Sequence, residues 1–289
     1  MANLQFNPAI LQYCNPAMSL ITSRQNALVA RYRAAARGDA GDVILLDGAH
    51  LVGDALSAGV GVLHAAVTPA AQERAEIGAL IAALERNGTE IASVSQNVME
   101  AMSPVRSSSG LVALADRPTH AIEDLFSGAA PLVIAAVDVQ DPGNVGAIAR
   151  VAEAGGATGM VAAGASADPF GWKALRGSMG SSLRLPIATA PADAAIAAAR
   201  RRQCVIVAAV PRGGRLPHEI DFRRPVAIVI GGEGEGVPEA LAASANERVS
   251  IPMQAPVESL NTAVAAAVIV YEARRQRSES ATKTRSHED

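Results

Sequence analysis

Three short stretches of this 289-residue chain hold side chains able to do chemistry together. The first is Asp141-Pro-Gly-Asn144, running into Val-Gly-Ala-Ile-Ala-Arg150. With a helix over 145–154, Arg150 stands six residues beyond Asn144, about 9 Å along the axis. Gly146 and Ala147, one turn earlier on its face, leave a cleared floor beside the guanidinium. An arginine over small residues suits a phosphate or a ribose; its plainer role is an ion pair with Glu153, three residues on. Asn144 is expected off that face, at the cap position.

The second stretch is Ile230-Gly-Gly-Glu-Gly-Glu-Gly-Val-Pro, whose glycines let backbone approach a ligand or take positive φ. It is neither the phosphate loop, since no Lys-Ser/Thr pair follows, nor the G-x-G-x-x-G fingerprint. Glu233 and Glu235 would repel a triphosphate, so a ligand with a cationic centre and an adenosine fits better. Taken alone, such a turn is more often structural. The third stretch, Ile251-Pro-Met-Gln-Ala-Pro-Val-Glu-Ser-Leu-Asn261, leads into an uncharged run to Tyr271. That run is too long for an average strand and predicts a helix. Apolar on every side, it is expected to be buried. Ser259 and Asn261 then fall in its electropositive first turn, and its plainer reading is a core helix capped by Ser259.

The elements that must position these loops alternate in type. Strands are expected at 43–46, 62–67, 89–94 and 110–115, with helices opening near Ser23, after Asp47-Gly48 and over 70–87. This is a unit of about a hundred residues, a common domain size. Residues 119–130 read as a linker. The second unit opens with Pro131-Leu-Val-Ile-Ala-Ala-Val, an unbroken apolar strand buried on both faces. Further strands are expected at 159–163, 183–188, 204–210, 226–230 and 248–251, with an Ala-rich helix over 191–202. Such alternation implies a mainly parallel sheet covered on both faces, whose ligands gather at the strands' carboxyl ends. Residues 278–289 are polar and expected to be disordered.

Composition narrows the class. The chain is 49% hydrophobic with net charge −3, yet no run is long and apolar enough to span a bilayer. The first twenty residues lack a secretory signal pattern. Cys14 and Cys204 make no disulfide framework, and the histidines lack ligand spacing. A soluble, cytoplasmic protein is expected. Arg24, Arg31, Arg33 and Arg37 stand in an acid-free N-terminal stretch, with further groups at 200–202 and 274–277. Local basic patches of this kind hold phosphates even on a weakly acidic chain, although arginine-rich helix ends are commonly just solvated.

Asn144-x-Gly-x-x-x-Arg150, the Gly-Gly-Glu-Gly-Glu-Gly loop and Ile-Pro-Met followed by Glu-Ser-Leu-Asn resemble the three ordered motifs of the SpoU (TrmH-like) RNA 2′-O-ribose methyltransferases. Lys173-Ala-Leu-Arg-Gly-Ser-Met-Gly resembles that family's segment between the first two motifs. Arg24-Gln-Asn and the Asp47-Gly-x-x-Leu-Val-x-x-Ala-Leu pattern resemble, less specifically, an L30-like substrate-binding domain. The resemblance implies an L30-like unit over 1–118, a trefoil-knotted α/β methyltransferase domain over 131–277, and a homodimer acting on rRNA or tRNA. It implies S-adenosylmethionine held by Gly231, Gly232, Gly236, Ile251, Met253 and Leu260, with Asn144, Arg150, Glu233, Ser259 and Asn261 in or beside the active site. Arg150 would act as an electrostatic activator of the ribose hydroxyl. Ala255 stands where the family usually has Gly. The alternatives are a base methyltransferase with the same knot and a non-catalytic RNA-binding module of ribosome assembly.

Overall fold

The computed structural model describes residues 20–285, with side chains to residue 279. Cys14 and the start of the basic N-terminal stretch lie outside the described residues. The first unit carries a four-stranded sheet of β1 (Val43–Asp47), β2 (Val62–Val67), β3 (Glu90–Ser93) and β4 (Leu111–Asp116). Its order is β1-β4-β2-β3; β4 runs antiparallel to both β1 and β2, and β2 runs parallel to β3. Helices α1 (Ala27–Arg37), α2 (Ala49–Ser57), α3 (Pro69–Gln72), α4 (Ala75–Arg86) and α5 (Gln96–Met102) cover it. Two expectations shift here. The first helix is capped by Asn26, whose side chain accepts the Leu28 amide, and not by Ser23. The helix expected over 70–87 is broken between Gln72 and Ala75, the first piece being capped by Thr68.

The second unit holds six strands: β5 (Leu132–Val137), β6 (Gly159–Ala163), β7 (Ile187–Ala190), β8 (Val205–Ala209), β9 (Val226–Gly231) and β10 (Glu247–Val249). Their order is β10-β8-β9-β5-β6-β7, and every neighbouring pair is parallel. β7 begins later than expected, because Ser181–Arg184 form a helical turn, α8, ahead of it. α6 (Pro142–Gly155) and α11 (Thr262–Arg285) cover one face with α7 (Trp172–Ser178). Ile134 and Ala136 of β5 share one buried cluster with Ile148 and Ala152 of α6 and Ala266 and Ile269 of α11. Val133, Ala135 and Val137 face the other way, with α9 (Ala192–Arg201) and α10 (Glu239–Ser244). That two-sided burial is the reason for β5's unbroken apolar run. α6 and α11 approach so closely that a Cβ on Gly155 would overlap Val270.

The stretch expected as a linker is packed: a 3-10 turn, Ile122–Phe126, buries Leu125 and Phe126 against the second sheet. The C-terminal helix also departs from expectation. It reaches Arg285, past the expected start of the disordered tail, and residues 286–289 lie outside the described residues. It is not buried all round: Val264, Val268 and Tyr271 are exposed at 49%, 41% and 51%. No helix among the described residues is long and apolar enough to cross a membrane.

Candidate active site

The strand order places the three motif loops. From β5 the chain steps outward to β6 and β7, then crosses to the other side of β5 for β8 and β9. The reversal lies between β5 and β9, where ligands of open parallel sheets bind. Val137 pairs with both Gly231 and Ala163, so the loops leaving β5 and β9 start at one level. They touch: a Cβ on Gly232 would overlap the Asp138 carbonyl, and one on Gly231 would overlap the backbone of Gly236 and Val237. The glycine loop folds back on itself through the Gly236 amide, which donates to the Gly232 carbonyl at 3.2 Å. Gly234 and Gly236 take φ of 91° and 69°, where side chains are disfavoured.

Helix α6 opens earlier than expected. Asp141 is its cap, its carboxylate accepting the Asn144 amide at 2.8 Å, so Asn144 sits inside the first turn and not at the cap. α11 opens later than expected, at Thr262. Asn261, not Ser259, caps it, and its side-chain oxygen accepts the amides of Ala263 at 2.9 Å and Val264 at 3.2 Å. This fixes which atom of each amide is which, because an oxygen that accepts from backbone leaves the nitrogen to donate. Asn261 Nδ2 accordingly donates to Asn144 Oδ1 at 3.0 Å, and Asn144 Nδ2 donates to Glu233 Oε1. One polar chain thus joins the start of α11, the first turn of α6 and the glycine loop. Thr262 adds a second tie, its hydroxyl donating to the Gly231 carbonyl at 2.7 Å.

Below this chain lies a cleft of about 400 Å³. It is walled by Ile230, Val249, Ile251, Leu260, Ala265 and Ile269 and rimmed by Glu233 and Glu235. Gly231, Gly232, Gly236, Met253, Ser259 and Asn261 also line it, so all the expected cofactor-binding residues meet there. Apolar walls, a backbone stripped of side chains and two rim carboxylates suit a flat, mainly apolar ligand carrying a positive charge. The loop over the cleft turns at Gln254–Val257, where the Val257 amide donates to the Gln254 carbonyl at 3.1 Å and Ala255-Pro256 is cis. The turn closes with Ala255 in place of a glycine.

Arg150 stands apart from the cleft lining. It is exposed on α6, and no hydrogen bond or ion pair holds it among the described residues. The plainer role expected for it is absent: Glu153 is gripped by Arg184, Nε to Oε1 at 2.8 Å and Nη2 to Oε2 at 2.9 Å. That bidentate contact holds the Glu153 carboxyl below the usual carboxylate range despite partial burial. Several positions in the site, Val249, Ala265 and Ile269 among them, escaped the sequence reading. The end of β8, Ala209-Val210-Pro211, lines the cleft; the rule that ligands sit at strand carboxyl ends could have found it. Thr262 gave no signal, because its role depends on a carbonyl 31 residues away.

Comparison with known proteins adds to this geometry. Residues 131–271 match the SpoU rRNA Methylase family. An uncharacterized tRNA/rRNA methyltransferase of Synechocystis is 34% identical over 89% of this chain and 93% of its own length. A 23S rRNA (guanosine-2′-O-)-methyltransferase of Bordetella pertussis is 32% identical over 67% of this chain and 81% of its own. Among solved structures, a SpoU methyltransferase of Streptomyces viridochromogenes in complex with its cofactor AdoMet superposes with a TM-score of 0.80. That structure is 27% identical and covers 88% of this chain and 98% of its own.

Proposed function

The chain belongs to the SpoU rRNA Methylase family, and from that premise we propose that the cleft holds S-adenosylmethionine for methylation of a ribose 2′-hydroxyl of RNA. It is an RNA 2′-O-methyltransferase, and S-adenosylmethionine, when bound, supplies an electrophilic methyl on a sulfonium. Gly231, Gly232, Gly236, Ile251, Met253 and Leu260 would hold it, largely through backbone and apolar contacts, with Glu233 and Glu235 facing its charge. The observation that carries the reading is the polar chain from Asn261 through Asn144 to Glu233, which ties three distant loops above one cleft.

Arg150 is proposed as the group that handles the attacking ribose. A hydroxyl is a poor nucleophile until its proton is removed or strongly polarised, and an arginine stays protonated at neutral pH. Its guanidinium would therefore grip a substrate phosphate and polarise the adjoining 2′-hydroxyl, a fixed charge able to contribute several kcal/mol. With no hydrogen-bond or ion-pair partner among the described residues, it is available for that role. Asn144 and Asn261 hold the glycine loop in place, and Ser259 orients the ribose.

The finer parts of the proposal rest on other features. Val264, Val268 and Tyr271 form an exposed apolar stripe at i, i+4 and i+7 on α11, suited to a second copy of the chain, as a knotted homodimer would require. Residues 1–118 would serve as the L30-like RNA-gripping unit. A separate unit of this kind favours a structured rRNA site over tRNA, in the cytoplasm. Incubating rRNA and tRNA with labelled cofactor, then digesting the product, tests the reading: label in nuclease-resistant dinucleotides is expected. Label on a base would favour the base-methylating alternative, and absence of cofactor binding the non-catalytic one.

A further inference from the structure

Sorting the cations by partner leaves several without an ion pair among the described residues, and two of these share one helix next to α6. Arg37, Arg117, Arg184, Arg201, Arg215, Arg223 and Arg275 are each paired with a carboxylate within 3.3 Å. Lys173 and Arg176, by contrast, are exposed on α7 one turn apart, hence on one face. Neither has a carboxylate within ion-pair distance among the described residues. Lys173 instead stands over the Trp172 ring, 5.6 Å from its centroid.

α7 lies between the proposed catalytic helix and the first unit. Its Ala174 carbonyl and Ser178 amide occupy the space a Cβ on Gly146 would need, and Gly177 lies against the Gly143 carbonyl. Arg150 is one turn beyond Gly146 on the same helix. On the other side, Trp172 packs against the first unit's buried cluster around Leu45, Met99 and Met102. Arg176 acts electrostatically on Asp47, at the end of β1, whose carboxylate accepts the Ser103 hydroxyl at 2.6 Å. Ser103 opens the loop Ser103-Pro-Val-Arg-Ser-Ser-Ser109, which presents Arg106, exposed and likewise unpaired.

We propose that Lys173, Arg176 and Arg106 form a phosphate-binding track that carries an RNA strand from the first unit, across α7, to Arg150. The inference rests on the reading of the chain as an RNA methyltransferase and names the surface that positions its substrate. Cations left without an ion pair among the described residues keep their charge for phosphates, and the hydroxyls of Ser107 and Ser108 add donors of the kind that fix a backbone's register. None of the three touches the cofactor cleft, so the track acts on RNA affinity alone.

The test compares the double variant K173E/R176E with R86E, which alters an exposed arginine ending α4 that has no ion pair among the described residues, using a 23S rRNA transcript across a salt series. The double variant is expected to bind at least about tenfold more weakly at physiological salt. The slope of log affinity against log salt should fall by about one for each lost contact. Cofactor affinity, and the rate at saturating RNA, should stay at the unaltered level. Unchanged RNA affinity in the double variant, or an equal loss in R86E, would overturn the track. An unaltered chain that binds cofactor and RNA but transfers no methyl would sink the functional reading and leave the affinity comparison to judge the track.

Discussion

The two units of this chain place their most connected polar side chains differently. In the second unit six parallel strands end on one edge, and polar side chains gather there above a cleft, tied to each other yet open to solvent. In the first unit the antiparallel β4 sends strand ends both ways, and the most deeply placed polar pair is sealed inside. Tyr32 and His64 are 0% and 3% exposed, with the Tyr32 hydroxyl 2.8 Å from His64 Nδ1. A parallel sheet concentrates its loops and so can build chemistry; a mixed sheet disperses them and uses polar groups to specify packing. On the proposed reading the mixed unit would contribute grip and the parallel unit reaction.

The contrast breaks most severely at Arg150. Arg150→Ala should reduce single-turnover methylation by about a hundredfold or more, the scale of losing one preorganised charge. Cofactor affinity measured by calorimetry should be unaltered, since the residue lies outside the cleft lining. A rate near that of the unaltered enzyme would remove Arg150 from the mechanism. Gly231→Ala comes next and reverses the signature. Its Cβ must displace the Gly236 and Val237 backbone, so cofactor affinity should fall at least about tenfold by the same calorimetry, with overpacking of about 1–3 kcal/mol as the cause.

The polar chain predicts a smaller and more specific effect. Asn144→Ala and Asn261→Ala remove the two ends of one hydrogen bond, so their effects on cofactor affinity should be non-additive. Coupling on the order of 1 kcal/mol is expected, within the range for contacting residues. Additive losses would mean that the two asparagines serve separate ends.

Much of this arrangement was legible from residue types, and its failures share one cause. β2 and β6 fall on their expected bounds because apolar runs closed by turn residues leave little choice. The cleft residues Gly231, Ile251, Met253 and Leu260 follow from the resemblance to the SpoU motifs, whose loops stand at strand ends. Helix starts were misplaced by about three residues at both α6 and α11. Each start offers several side chains able to cap; Asp141 is held by the Asn144 amide of its own turn, whereas Asn261 is also tied to Asn144 of another loop. α11 is expected to be buried all round because hydropathy cannot distinguish a core face from an exposed apolar one. The Tyr32–His64 pair was invisible, being made of residues 32 positions apart on different elements.

That pair supports the mildest prediction, confined to the first unit. Burial disfavours the His64 cation and pushes its pKa below the ordinary value of 6.5. The unfolded chain therefore binds a proton that the folded chain refuses, and stability rises with pH between the lowered pKa and about 6.5. Acidifying from pH 7 to about 5.5 should lower the melting temperature of the unaltered protein by a few degrees, read by calorimetry. Asp47 works in the opposite sense at lower pH, since burial raises its pKa above 3.8 and favours the protonated folded form; the scan therefore stops above the carboxylate range. His64→Gln keeps a polar partner for Tyr32 while removing the titration, so its melting temperature should be flatter over the same interval. If both proteins lose stability equally, the acid sensitivity lies outside this pair, and its burial serves packing with no electrostatic consequence.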